Sequence, residues 1–221
     1  MRLKKYHINL YKRFGLFEKG SWLEKPEDII LSLAENLKSK KNVKVLNLGS
    51  GVGRNSIPIA KIIGKNNGEV VCVDYLRIAD QKLRKNAKEH QVQKYIKSYV
   101  CDVREFEIEK ENFDLIIAHS ILEHLKNRRV LEKVIKNIIL GTKENGYNYI
   151  CLTTELEEIE IPKMRKIKPK IEIPLTFENG KILLKKLYNK WKILKLKRFL
   201  TKKLSMKEAG MLFENVNTFF S

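Results

Sequence analysis

Apolar positions along this chain switch repeatedly between helical spacing and short continuous runs. Ile29, Ile30, Leu33, Ala34 and Leu37 recur at helical spacing, and Pro26 suits the first turn. Residues 43–48 form a short apolar run that leads directly into glycines, so a strand is predicted there, followed by a helix to about Ile63 that Gly64 stops. Residues 69–74 read as a second strand, and Ala79, Leu83 and Ala87, with His90, mark one face of the next helix. Residues 96–101 and 113–118 read as the third and fourth strands. Val130, Leu131, Val134, Ile135, Ile138 and Ile139 give another helical stripe, before a fifth strand over about 147–152.

The last third has a different rhythm. Residues 155–174 are charged and proline-marked, which predicts an excursion or lid rather than a core element. Residues 181–188 look helical, 191–199 alternate apolar with basic residues as a half-exposed strand near a sheet edge would, and 213–220 suit a final strand. Strand and helix alternate with short connections. The expected architecture is therefore α/β: a doubly wound, mostly parallel seven-stranded sheet with helices on both faces and an antiparallel last strand.

The candidate chemistry sits where strands end. Gly49-Ser50-Gly51-Val52-Gly53 follows the first strand and opens a helix. Glycines there let the backbone turn sharply and approach a ligand without a Cβ in the way. Dinucleotide-binding loops read G-x-G-x-x-G, whereas here Arg54 follows Gly53, so the third glycine comes one residue early. Asp74 ends the second strand, where a carboxylate can accept both ribose hydroxyls of a nucleoside, and Tyr75 beside it can stack on a base. Asp102, before Val103, ends the third strand, within reach of an adenine amino group. The carboxyl ends of parallel strands are where such folds bind ligands.

With these motifs, residues 43–152 resemble the class I S-adenosylmethionine-dependent methyltransferases. The resemblance implies S-adenosyl-L-methionine as cofactor, held by Asn47, Gly49, Ser50, Gly51, Gly53, Asp74, Tyr75, Asp102, Val103 and His119. It also sets His119 and Ser120, just after the fourth strand, beside the sulfonium and the acceptor. Asn47 stands where that family usually has an acidic residue. Within the class, Gly53-Arg-Asn-Ser56, Asn127-Arg-Arg-Val130 with Ile135-Lys-Asn137, and residues 142–148 look like the tellurite-resistance methyltransferases. That likeness implies a small anionic or thiol-like acceptor, a tellurite or selenite oxyanion among them. Arg54, Ser120 and Tyr11 are the candidate acceptor contacts, with the aromatic segment of Tyr11, Phe14, Phe17 and Trp22 folding over the cleft. The whole chain then reads as one methyltransferase domain: an N-terminal helical or lid segment (1–40), a cofactor-binding core (41–154), an excursion (155–180), and a C-terminal helix with edge strands (181–221).

Composition narrows this picture. The 221 residues are enough to close one core. Met1 to Phe14 is basic and mixed rather than a signal peptide, and no apolar run is long enough to span a membrane. Cys72, Cys101 and Cys151 lack metal-ligand spacing, so no metal site is expected, and buried reduced thiols point to a cytoplasmic setting. The net charge of +19 owes much to Lys163–Lys170 and Lys181–Lys203. A lysine-rich solvated surface explains that charge as well as a polyanion footprint does. Two alternatives therefore stand beside small-molecule methyl transfer. One is an RNA methyltransferase using the basic late segment, with Trp191 and Phe199 interleaved. The other is a binding or scaffolding protein that keeps the fold without catalysis.

Overall fold

A computed structural model of the chain describes residues 2–155, 158–160, 165–167, 171–201 and 206–214. It falls into two compact units.

The first unit, residues 1–107 and 112–117, holds α1 (Arg2–Arg13), α2 (Asp28–Leu37), β1 (Lys44–Leu48), α3 (Ser56–Ile63), β2 (Glu69–Asp74), α4 (Arg77–Glu89), β3 (Ile96–Val100) and most of β4 (Phe113–His119). Its strands lie in the order β3-β2-β1-β4. β1 and β2 pair in parallel with Val45 opposite Val70, and β2 and β3 pair in parallel with Val70 opposite Ile96. Strands joined in parallel need crossover helices, which α3 and α4 supply. Central β1 and β2 are buried after their first residue, as strands covered on both faces are, whereas edge β3 leaves Tyr99 and Val100 exposed. Asp114 locks β4 to the start of β1: its buried carboxylate accepts the Lys44 amide at 2.9 Å and pairs with Lys40 at 2.5 Å. The order reverses at β1, so the loop after β1 lies at the switch point where doubly wound sheets take ligands.

The second unit, residues 108–111 and 118–221, holds the end of β4, α5 (Arg128–Gly141), β5 (Thr142–Thr154), β6 (Glu158–Glu160), β7 (Arg165–Ile167), α6 (Phe177–Leu187), β8 (Lys192–Thr201) and β9 (Met206–Glu214). Asn127 caps α5 by accepting the Val130 amide at 3.0 Å, and Leu131, Val134, Ile135 and Ile138 form its buried stripe. β5, β9 and β8 follow one another antiparallel, with a bulge between Ile193 and Lys195. Asn148 Nδ2 donates to the Tyr188 hydroxyl at 3.2 Å and Asn148 Oδ1 accepts from Thr142 at 2.7 Å, a buried polar chain that ties β5 to the end of α6.

Several expected boundaries shift. Pro26 precedes the helix cap at Glu27 instead of entering the first turn. β5 starts at Thr142 rather than near 147, because the chain leaves α5 at Gly141 with no loop. α6 starts at Phe177, four residues before the expected 181, because Thr176 accepts the Asn179 amide at 3.2 Å and caps it. The final strand covers Met206–Glu214 rather than 213–220; residues 215–220 lie outside the described ones, as do 161–164 and 168–170 of the expected lid. Within that excursion β6 and β7 pair antiparallel, with Glu158 opposite Ile167, and the Glu155 amide donates to the Leu175 carbonyl at 2.9 Å. Cys72 and Cys151 are buried as expected, but Cys101, just past edge strand β3, is only half-buried.

Candidate active site

The loop between β1 and α3 is built from positive φ angles: 70° at Gly49, 55° at Gly51 and 98° at Gly53. Side chains rarely adopt that region. Space reinforces the requirement at two of them. A Cβ on Gly53 would lie 2.6 Å from Leu83 Cδ1, and one on Gly51 would lie 2.8 Å from the Tyr11 hydroxyl oxygen.

The loop is welded to β2. The Gly49 and Ser50 amides both donate to the Val73 carbonyl, at 2.8 and 3.1 Å, and the Gly51 amide donates to Asp74 Oδ2 at 2.9 Å. Asp74 Oδ1 accepts the Leu76 amide, also at 2.9 Å. Burial raises the Asp74 pKa above the ordinary carboxylate range, against the opposing pull of those two amides, with Asp80 adding to the rise. Each carboxylate oxygen still has acceptor capacity for a hydroxyl.

Beneath the loop lies a small polar cluster. Asn47 Nδ2 donates to Ser56 Oγ at 2.8 Å, and the buried Ser50 hydroxyl lies beside Cys72. Burial pushes the Cys72 thiol up to about 12, with Ser56 and Ser50 pulling the other way. Asn47, expected as a cofactor contact, thus gives its amide to the first residue of α3.

Above the loop lies the N-terminal segment. α1 packs on α4, and Tyr11 reaches Gly51. Burial, then the neighbouring Asp74 and Tyr75, drive the Tyr11 pKa upward while Arg54 opposes them, so the phenol stays protonated. The Tyr11 and Trp22 rings lie 6.2 Å apart, and Phe14 meets Trp22 edge-on at 5.3 Å. The Arg54 guanidinium donates to Glu27 Oε1 at 3.0 Å and to the Lys25 carbonyl at 3.2 Å. Asn55 Oδ1 accepts the Glu27 amide at 3.0 Å, so residues just past the loop pin the segment down.

Asp102 is also committed within the protein. Arg104 grips both of its oxygens, at 2.9 and 2.6 Å, and the Arg104 amide adds a third bond at 2.9 Å. That grip holds the Asp102 pKa below the usual carboxylate range. Val103 is buried next to it, and Tyr75 is half-buried. His119 and Ser120 belong to the second unit. The His119 ring stacks on Tyr149 with centroids 6.0 Å apart and planes 9° from parallel, and Ser120 holds a φ of 51° while its amide donates to the Cys151 carbonyl at 2.9 Å.

From the sequence, Glu123 and His124 at a presumptive helix start read as a surface pair or a helix-end charge. Glu123 is fully buried, accepts the Thr153 amide at 3.3 Å, and offers its carbonyl to the Ile173 amide at 3.0 Å. Its flanking Leu122 and Leu125, both buried, carried that signal. The Arg104 grip was legible only as an Asp-x-Arg spacing.

Residues 39–202 match the methyltransferase domain family. The chain belongs to that family. No curated protein matches the chain significantly. Among solved structures, the methyltransferase is similar to TehB from Haemophilus influenzae at 22% identity and TM-score 0.61, covering 83% of this chain and 61% of that one. It thus spans about three fifths of TehB. It is also similar to the N-methyltransferase NodS from Bradyrhizobium japonicum WM9, in complex with S-adenosyl-L-homocysteine, at 13% identity, TM-score 0.62, and coverage of 95% and 98%. A third is the 1,6-didemethyltoxoflavin-N1-methyltransferase of Burkholderia thailandensis, with 15% identity, TM-score 0.61, and coverage of 97% and 88%. At these identities the likeness is one of fold.

Proposed function

We propose that this methyltransferase moves the methyl group of S-adenosylmethionine to a small-molecule acceptor, a tellurite- or selenite-like oxyanion or a thiolate. The observation that carries the cofactor half is the buried Asp74 carboxylate bonded to the Gly51 amide at the switch point. A residue that anchors the loop and keeps acceptor capacity suits a nucleoside diol. When bound, the sulfonium supplies a methyl carbon open to in-line attack: the acceptor lone pair forms the new bond as the carbon–sulfur bond breaks onto sulfur. A thiol acceptor would give up its proton before attack.

The chain's own share is positioning. The glycine loop brings backbone close to the ligand, Asp74 orients the ribose, and the N-terminal aromatics exclude water. The chain's +19 charge favours entry of an anion. Arg54 acts on that acceptor indirectly, through the segment it pins.

Support for a small acceptor comes from the likeness to TehB and to the didemethyltoxoflavin enzyme. A polyanionic acceptor is favoured by one observation, the exposed Lys185, Lys186, Lys190, Lys192 and Lys195 of α6, β8 and the turn between them. Purified protein with labelled S-adenosylmethionine, offered tellurite, selenite, a thiol panel and bulk RNA, separates these readings. Methylated RNA with no small-molecule turnover would overturn the small-acceptor reading. No turnover with any acceptor, despite cofactor binding, would favour a non-catalytic binding protein.

A further inference from the structure

Residues 179–201 carry eight cations and no carboxylate, whereas residues 1–178 carry 34 cations against 24 carboxylates. Lysine usage across the chain therefore does not account for this stretch, which belongs to the second unit and forms most of α6, the turn after it and β8. Lys185, Lys186, Lys190, Lys192 and Lys195 are all exposed. None of the five forms an ion pair among the described residues.

Exposed aliphatic side chains stand among these lysines. α6 buries Gly180, Leu183 and Leu184 and turns Ile182 outward, 60% exposed, with Lys185 and Lys186 one turn further on. β8 leaves Leu194 and Leu196 38% and 36% exposed. The Arg198 guanidinium lies over the Phe177 ring at 5.2 Å, so β8 runs back beside α6. Alternation puts Leu196 on the same sheet face as Arg198, and Lys195 and Lys197 on the other. β8 ends the sheet order, so these residues flank one sheet edge. Lysine at a helix end complements the helix dipole, and lysine on an edge strand discourages pairing. Neither effect calls for isoleucine and leucine in water beside them.

We propose that α6 and β8 form a docking surface for an anionic lipid bilayer, on which the chain lies peripherally. The lysine ammoniums meet lipid phosphates at headgroup level, while Ile182, Leu194 and Leu196 enter the boundary beneath them. RNA would answer the charge alone. A phosphate backbone has nothing for aliphatic side chains to enter, and base stacking needs an open aromatic face. Trp191 offers none: it is half-buried and meets Tyr188 edge-on at 5.2 Å. Seven of the eight cations are lysine, whereas nucleic-acid recognition favours the arginine fork. No described helix is long and apolar enough to cross a membrane, and lying on one requires none. This contact stands apart from methyl transfer and holds whatever the acceptor.

Co-sedimentation with two kinds of vesicle tests this: phosphatidylcholine alone, and phosphatidylcholine mixed equally with phosphatidylglycerol. The parent protein should bind the mixed vesicles, ignore the neutral ones, and come off as salt rises. Changing Lys185, Lys186, Lys190, Lys192 and Lys195 together to Gln should weaken that binding at least about a hundredfold. Changing Lys19, Lys41, Lys65, Lys88 and Lys94, exposed lysines of the first unit, removes equal charge and should weaken it less than about tenfold. Ile182→Ser with Leu196→Ser keeps every charge and should weaken it about tenfold. All these side chains are exposed, so melting temperatures should match the parent's. No binding to the mixed vesicles overturns the proposal. Equal loss in the two lysine variants overturns it as well, because net charge would then be the cause. Parent-like vesicle binding by the Ile182→Ser, Leu196→Ser variant does the same, and so does bulk RNA that displaces the vesicles while binding equally to that variant.

Discussion

Asp74 Oδ2 accepts the Gly51 amide at 2.9 Å, so the residue proposed to hold the ribose also holds the glycine loop in place. Removing its side chain costs both. Asp74→Ala should weaken S-adenosylhomocysteine binding by about 2–4 kcal/mol, the scale of buried charge-assisted hydrogen bonds. Calorimetry measures this directly, and an unchanged affinity would remove Asp74 from the cofactor site.

The same carboxylate makes binding sensitive to acid. Burial raises its pKa, so the fold holds the proton more tightly than the unfolded chain does. Its stability contribution is therefore present below the unfolded pKa of about 3.9 and is lost as pH rises through the higher folded value. A ligand that needs the carboxylate ionised reverses the preference. Cofactor affinity should fall on acidification at a higher pH than an ordinary carboxylate would dictate, and titrations across pH should show that fall vanish in Asp74→Ala.

Arg54 reaches Glu27 and the Lys25 carbonyl, and both pair members are largely shielded. Arg54→Met should loosen the segment it pins. Limited proteolysis should cut residues 14–27 faster, while affinity for S-adenosylhomocysteine changes less than about fivefold, the reach of a part-exposed pair worth at most about 1 kcal/mol. If cutting is no faster but the acceptor KM rises, Arg54 contacts the acceptor directly.

Gly53→Ala combines a φ of 98° with a Cβ 2.6 Å from Leu83 and 2.9 Å from Ile57. The strain and overpacking should destabilise the fold by about 2–4 kcal/mol. Thermal unfolding tests this, and an unchanged melting temperature would mean that α4 yields freely.

The three thiols should separate by access. Cys72 is fully buried with its pKa pushed up to about 12, and Cys151 is buried, whereas Cys101 is half-buried. One equivalent of an alkylating reagent should react in the native protein, at Cys101, and the other two only on unfolding. Peptide mapping that finds Cys72 labelled first would contradict the packing under the glycine loop.

The sequence by itself determined the alternation of strands and helices, the glycine loop at the end of β1, and the two strand-end aspartates. Those features are local: a buried parallel strand needs an unbroken apolar run, and a tight turn with positive φ needs glycine. The family resemblance followed from their order and spacing. Tertiary structure alone decided where the polar groups go. Asp102 and Arg104 stand two residues apart, yet nothing in the spacing says the guanidinium closes on the carboxylate. Arg54 and Glu27, Asn47 and Ser56, and Tyr11 over Gly51 are pairings set by helices crossing the sheet. Glu123 looked like a surface residue because its charge outweighed its apolar neighbours, and only packing against β5 buried it. Periodicity reports which face of an element is buried, but a hydrogen-bond partner is chosen by distance in space, which the fold alone sets.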